Sequence, residues 1–393
     1  MLARLQYNYK GKYLLSASVR RDGSSRFKNN HWGTFPSFSA GWNVSDENFW
    51  EPVKNIVNNF KLRASYGTTG NQGIADYAYA PVITLENDYV FGAGDNQNLQ
   101  LGATQQAYAN ELVSWETSVS KNFGIDLSFF KNRLTFTQDV YTTNKKDMLF
   151  PVFLPPTVGA GSGSDASVVL NVGDMENFGV EYALNYKNKG RGKVKWNAGV
   201  NFTKNKNKVT KMSGSNKIIY FNDSTIAGTD NDTDAVSVLA EGYEAGAFFL
   251  IKTDGIIREG ELDAYLAEFP TSGAKVGDLR LVDALTVDTD GDGIPDKGDG
   301  VIDINDRQYS GSGTPKFEMG FNTSVSYSNF DLSAQLYGAF GGKIMNGSKA
   351  YAYQYGNHQD LIYQYSAQNP TSDIPVYRGA QTHDNFRGRN DFW

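Results

Sequence analysis

Hydrophobic side chains recur at every second residue along much of this chain, and only a pleated strand gathers such a pattern onto one side. Tyr13, Leu15, Ala17 and Val19 alternate with Ser16, Ser18 and Arg20; Phe38, Ala40, Trp42 and Val44 form a second run. In a third, Phe60, Leu62, Ala64 and Tyr66 interleave with Lys61, Arg63 and Ser65. A dry sandwich core could not accept that second set, whereas a water-filled lumen could. No heptad, fixed-period repeat or long amphipathic helix competes with the strand pattern.

Turn chemistry then sorts the strands into hairpins. Phe123, Ile125, Leu127 and Phe129 lead through Lys131-Asn132 into Leu134, Phe136 and Val140. Val180 to Tyr186 turns through Asn188-Lys189-Gly190 into Val194, Trp196 and Phe202, and Phe317 to Tyr327 turns at Ser328-Asn329 into Phe330, Leu332 and Leu336. Tight polar turns of this kind are hairpin signals. Between them lie long polar connections, at 68 to 112, 150 to 176, 205 to 240, 257 to 315 and 342 to 393. Residues 154 to 176 are rich in Gly, Ser and Ala, a flexible surface composition. Several structureless connections longer than about 15 residues are unusual in a compact soluble domain. Short turns at one end and long loops at the other are the asymmetry of an outer-membrane barrel.

Composition narrows the alternatives. No segment approaches the roughly 18 consecutive apolar residues of a membrane helix, and mean hydropathy is -0.47; a barrel strand, burying only alternate residues in lipid, is compatible with both. The chain has 43 acidic and 37 basic side chains, a net charge of -6, and lacks the basic stripe that nucleic acid requires. It contains no cysteine, which excludes disulfides, thiolate nucleophiles and cysteine-ligated metal. Aromatics make up 13% of the chain, with 23 Tyr and 24 Phe, and rings at strand ends suit a membrane interface. Strand-rich soluble proteins are also rich in aromatics.

One motif could hold an ion. From Asp288 to Asp299 the sequence DTDGDGIPDKGD fits a calcium loop whose oxygen ligands fall at positions 1, 3, 5, 7, 9 and 12. Asp288, Asp290 and Asp292 supply the first three, Ile294 a backbone carbonyl, Asp296 position 9 and Asp299 position 12, with Gly293 making the sharp turn. Neutralising so many carboxylates asks for a hard cation, Ca2+. The aspartate at position 12 is a departure from the usual glutamate, and Asp303 and Asp306 extend the acidic run. A solvated acidic loop without an ion is the plain alternative. His31, His358 and His383 lie far apart without the spacing of a zinc helix, and no G-x-S-x-G elbow occurs, so no catalytic residue is assigned. Tyr351, Tyr353, Gln354, Tyr355 and Asn357 could stack on and hydrogen-bond a sugar or peptide, or simply pack a loop.

Longer blocks carry a resemblance. LRASYGTTGNQGI at 62 to 74, WGTFPSFSAGWNVSDENFW at 32 to 50, WETSVSKNFGIDLSFFKNRLTFTQDVYTTNKKDML at 115 to 149 and NFGVEYALNYKN at 177 to 188 resemble the SusC/RagA type of TonB-dependent outer-membrane transporters. EGYEAGAFFLIKTDGI at 241 to 256, GDLRLVD at 277 to 283 and DGVIDINDRQYSGSGTPKFEMGFN at 299 to 322 resemble later blocks of the same family, in its order. The resemblance implies an all-β fold: residues 1 to 393 as part of an antiparallel transmembrane β-barrel of about 22 strands with long extracellular loops, and 277 to 315 as an acidic insertion. It implies a plug and a TonB-binding segment outside these residues, a SusD-like surface lipoprotein as partner, outer-membrane lipid around the wall, and import of oligosaccharides or peptides in a Gram-negative bacterium. Because FRGRNDF at 386 to 392 does not alternate, Trp393 is expected to be a truncation point and not a terminal barrel aromatic. A soluble calcium-stabilised extracellular β-protein, an adhesin or carbohydrate-binding module, is the rival reading. Tyr13, Leu15, Leu62, Ala64, Phe136, Tyr182, Trp196 and Leu332 are expected to share the outward face.

Overall fold

The computed structural model describes residues 1–85, 88–153, 167–188, 192–213, 217–221, 235–379, 385 and 390–392. The Lys189-Gly190 part of one turn, most of the Gly/Ser-rich stretch, His383 and most of the final segment with Trp393 lie outside them.

Ten long strands form one antiparallel sheet: β1 Leu2–Tyr9, β2 Tyr13–Gly23, β3 Trp32–Asn43, β4 Val57–Asn71, β5 Glu116–Phe129, β6 Leu134–Lys146, β7 Gly173–Lys187, β8 Val194–Met212, β9 Phe317–Tyr327 and β10 Phe330–Phe340. Each pairs with the next in sequence, so the sheet is an unbroken meander whose first and last strands do not meet. The all-β, antiparallel expectation holds, and within these residues the barrel is an open wall. Strand alternation puts the connections β1–β2, β3–β4, β5–β6, β7–β8 and β9–β10 at one end, and the three longest, β4–β5, β6–β7 and β8–β9, at the other together with the shorter β2–β3 connection.

Register fixes which side chains share a face. Tyr13 pairs with Trp42 and Leu15 with Ala40, which pairs with Ala64. Ala64 pairs with Phe123, Leu127 with Phe136, and Phe136 with Leu184. Tyr182 pairs with Phe202, and Trp196 with Val325, which pairs with Leu332. All eight residues expected to face outward therefore fall on one side, which runs apolar across ten strands. That side is not covered: Leu5 is 71% exposed and Leu332 73%. The opposite side carries Ser16, Ser39, Lys61, Arg63, Asp126, Asp139, Asn185, Asn201 and Asn322 at the alternate positions.

On that polar side, near the long-connection end, Phe27, Phe35, Ile74, Val113 and Trp115 make a small buried cluster. Trp115 lies 5.2 Å from Phe27 and 5.5 Å from Phe35 between ring centroids, and its Nε1 donates to the Asn30 carbonyl at 3.1 Å.

The long connections are not structureless, contrary to the sequence expectation. Hairpins form at Val82–Leu85 with Ala103–Ala107, and at Tyr89–Phe91 with Asn98–Gln100. Residues 218–315 and 341–393 make a second compact unit. Its four-stranded sheet joins Ile218–Tyr220, Ser237–Ala240, Ala247–Ile251 and Arg307–Ser312. Short apolar runs drive this: Val238, Ala240, Ala247 and Phe249 bury together, as do Ile257, Tyr265 and Phe269. β8 also continues past Phe202 to Met212. Lys204 and Lys206 end the apolar alternation but leave the backbone ladder to β7 intact.

Candidate functional site

The polar side of the sheet is a laced surface, and glycines make the lacing possible. Arg63 on β4 sits opposite Gly124 on β5, which sits opposite Asp139 on β6. With no side chain at Gly124, the Arg63 guanidinium crosses β5: Nε donates to Asp126 at 2.8 Å and Nη2 to Asp126 at 3.2 Å and Asp139 at 3.0 Å. A Cβ at Gly124 would lie 2.6 Å from that guanidinium. The same order recurs in Tyr141, Gly179 and Asn205, where the Tyr141 hydroxyl donates to Asn205 Oδ1 at 2.5 Å, and in Asn185, Gly199 and Asn322. Polar groups held this way present amides, hydroxyls and paired charges to water without an uncompensated charge. Its chemistry is hydrogen bonding and paired charge, and among the described residues this lacing sets no nucleophile beside a base. The signal in the sequence was a glycine at a position of polar parity, which alternation alone passes over.

In the acidic loop, the carboxylates of Asp288, Asp290 and Asp292 converge, one oxygen of each lying within 4.8 Å of the others, all exposed. Their other contacts are local: Asp288 accepts from Gly291 N at 2.7 Å and Gly293 N at 2.8 Å, Asp290 from Asp292 N at 3.1 Å, and Asp292 from Ile294 N at 2.7 Å. Gly293 has φ +86°, the left-handed conformation of a sharp turn. Asp296 does not join the cluster. Its carboxylate accepts from the Thr289 hydroxyl at 2.7 Å and the Thr289 amide at 3.1 Å, while Asp299 accepts from Val301 N at 2.9 Å. A two-stranded contact, Val287 with Lys297, closes the loop where an EF-hand would have helices. The backbone amides of Gly293 and Gly291 hold Asp288 below the ordinary carboxylate range, and the Thr289 hydroxyl and amide do the same for Asp296. Asp306, at the end of the run, is buried and pushed upward by desolvation.

The tyrosine-rich segment divides. Tyr353 is fully buried beside Leu361, with its hydroxyl on Asp360 at 3.1 Å, so it packs a core. Tyr351 and Tyr355 remain half exposed, their rings 4.7 Å apart. His358 caps a short helical turn through Nδ1, accepting from Asp360 N at 3.2 Å.

Comparison with known proteins gives a consistent result. The family model for the TonB dependent receptor-like β-barrel matches residues 2–255. TonB-dependent receptor P3 of Formosa agariphila is 33% identical over 95% of this chain, which spans 35% of that relative. TonB-dependent receptor SusC of Bacteroides thetaiotaomicron is 30% identical over 85% of the chain and 30% of its own length. The chain thus spans about a third of the curated relatives it matches. In fold it is similar to the solved RagAB peptide transporter, with TM-score 0.74 and 23% identity over 98% of this chain and 38% of that one.

Proposed function

The chain belongs to the TonB-dependent receptor β-barrel family, of the SusC/RagA kind, an outer-membrane family of Gram-negative bacteria, and from this we propose that it forms part of the wall of a TonB-energised importer. The carrying observation is the two-faced sheet: an uncovered apolar side across all ten strands and a hydrogen-bonded polar side behind it. Lipid covers the first and the aqueous lumen the second. A soluble protein would leave that whole apolar side in water, far beyond the patch a monomer tolerates, so the adhesin reading is set aside.

The cargo class is a polar oligomer, an oligosaccharide or a peptide, handed over by a SusD-like lipoprotein. Two named similarities support this, a SusC and a RagAB peptide transporter. The wall catalyses nothing in this reading; it encloses. The test is uptake of labelled oligosaccharides and peptides by cells carrying the whole protein, with and without a protonophore. Uptake that depends on the protein and collapses with the proton gradient is expected; uptake indifferent to the gradient would refute an energised importer.

For the acidic loop we propose a Ca2+ site resting on Asp288, Asp290 and Asp292, with the Ile294 carbonyl, Asp296 and Asp299 as the remaining motif positions. The convergence of three carboxylates supports it; an ion there would stiffen the loop. Calorimetry on the whole protein should show a calcium heat that the Asp290→Asn, Asp292→Asn variant loses.

A further inference from the structure

A glycine inside a strand loses backbone entropy on folding and packs nothing of its own, so for each one on the polar side of the wall the question is what fills its place. At Gly124, Gly179 and Gly199 a neighbour does: an added Cβ would lie 2.6 Å from Arg63, 2.3 Å from Tyr141 and 2.4 Å from Asn185. Gly320 on β9 differs. It pairs with Asn201 on β8 and with Tyr337 on β10, so it too faces the polar side, yet a Cβ there would meet nothing closer than 3.9 Å. It lies within the strand and does not take positive φ, so no backbone conformation requires it. Its place is left open to the lumen.

Register sets polar groups all round that place. Asn201 and Tyr337 flank Gly320 across the strands, and Glu318 and Asn322 precede and follow it on the same face of β9. Thr203 stands opposite Glu318, and Gln335 opposite Asn322. Neighbouring strands are about 4.8 Å apart and alternate residues about 6.8 Å apart, so the surround has the width of one sugar ring. The hollow measures about 210 Å³, below the roughly 300–1,000 Å³ of a whole small-molecule site. It therefore suits one residue of an oligomer. It sits near the long-connection end of the wall, where Phe317 begins β9 and Phe340 ends β10.

The groups round the hollow are uncommitted. Among the described residues the side chains of Asn201, Asn322 and Gln335 make no hydrogen bond to the protein. Glu318 is engaged through one oxygen, by the Tyr337 hydroxyl, which ties that ring to the wall. A carboxamide both donates and accepts, as a sugar hydroxyl does, so the two pair in either sense. The second Glu318 oxygen can accept from a hydroxyl, and an aromatic ring covers C–H surface. The same-face positions one strand further on, Glu181, Ala183 and Asn185 on β7, add no cation, so an anionic ligand finds no counter-charge here. An extended peptide is the poorer match, because it presents its amides along a line, whereas these groups surround a point.

We propose that the hollow over Gly320 is a cargo subsite for one neutral sugar ring, its hydroxyls held by Asn201, Asn322, Gln335 and the second oxygen of Glu318, beside the ring of Tyr337. Gly320 is the residue that admits it: a larger side chain there would take the place of the sugar without disturbing the strand. The inference rests on the importer reading above and deepens it, choosing an oligosaccharide over a peptide.

Binding and uptake separate the two. The whole protein in detergent micelles, where no proton gradient exists, is titrated by calorimetry with neutral hexasaccharides of glucose, mannose, galactose and xylose, and with hexa-alanine and hexalysine. At least one hexasaccharide should bind at millimolar concentration or below, and Gly320→Leu should abolish that binding. Asn322→Ala and Gln335→Ala should each weaken it about threefold to tenfold, the worth of one hydrogen bond. Ser333→Leu, on the same face but outside the hollow, should leave it unchanged. If Gly320→Leu fails to assemble, the two alanine variants decide alone. Sugar binding that is equal in the parent and these variants, or binding of no hexasaccharide, overturns the subsite. Hexalysine bound more tightly than the sugars and lost in Glu318→Gln gives the hollow to a cation and overturns it too. In cells, uptake that collapses with the gradient but is unchanged by Gly320→Leu leaves the importer standing without the subsite. Calorimetric binding lost in Gly320→Leu, with uptake indifferent to the gradient, keeps the hollow and overturns the importer.

Discussion

Gly124 is the cheapest place to ask whether the polar side is laced as described. A methyl group there would lie 2.6 Å from the Arg63 guanidinium and 2.7 Å from Asp139 Oδ1, so the guanidinium must swing and give up one carboxylate. Removing a buried partner would cost roughly 3–5 kcal/mol, and an exposed pair contributes about 0.5 kcal/mol. Side-chain exposures of 32% for Arg63, 28% for Asp126 and 20% for Asp139 put this triad between those limits. Arg63→Ala, which leaves both aspartates without their cation, should therefore cost about 2 kcal/mol. Losing Asp139 alone costs about 1–1.5 kcal/mol, offset by the roughly 0.5 kcal/mol that alanine gains over glycine in a strand. Gly124→Ala should thus destabilise by about 0.5–1 kcal/mol. In the Arg63→Ala background the guanidinium is gone and the Asp139 carboxylate, 2.7 Å from the new methyl but released from its cation, can turn aside, so the same change should stabilise by about 0.5 kcal/mol, a coupling of about 1–1.5 kcal/mol. Urea unfolding of the whole protein in lipid vesicles, followed by tryptophan emission, measures all four corners. Equal effects of Gly124→Ala in both backgrounds, within about 0.3 kcal/mol, would refute the lacing.

Leu62→Arg, on the apolar side mid-strand, should impair membrane assembly by about 2–4 kcal/mol, whereas Ser65→Arg on the polar side should be tolerated; heat-modifiable gel mobility separates the two. The Asp288 and Asp296 carboxylates sit below their ordinary range in the folded loop, so their stabilisation is complete above the unfolded carboxylate pKa and is lost as pH falls through the depressed folded values. Protection of the Gly291 and Gly293 amides, taken relative to the intrinsic exchange rate at each pH, should accordingly fall only under acid conditions beneath the usual carboxylate range, and protection already lost at neutral pH would contradict those hydrogen bonds. Asp290→Asn with Asp292→Asn should abolish calcium protection of the same amides and leave the strand amides unchanged.

How much of this was readable beforehand depends on what each position does. Outward residues such as Leu62, Phe136 and Trp196 obey a period-2 rule set by lipid on one side, so their face was legible without coordinates. The end of β8 was not. Lys204 and Lys206 lie on the outward face above the apolar run, where the ladder needs only backbone partners, and a hydropathy pattern carries no trace of that. The compact unit at 218–315 and 341–393 was missed for a related reason: its strands are three to six residues long, too short for periodicity to register. In the acidic loop, spacing foretold the meeting of Asp288, Asp290 and Asp292, since positions two apart on a glycine-kinked turn project to one centre. It did not foretell that Thr289 would engage Asp296 through both hydroxyl and amide. The packing of Trp50, in the 3-10 turn Asn48–Val53 between β3 and β4, on Phe60 has no motif at all; it follows from a register that places Phe60 outside and an indole that finds it.

Single cysteines introduced from Lys121 to Phe129 test the two-faced wall most directly, because this chain has no cysteine of its own. In the membrane-embedded whole protein, an aqueous maleimide should label Asn122, Gly124 and Asp126 positions, while lipid-phase quenchers of an attached fluorophore should reach Phe123, Ile125 and Leu127 positions, in strict alternation. Uniform aqueous labelling of both sets, or lipid access to the Asp126 position, would contradict a barrel wall with this register.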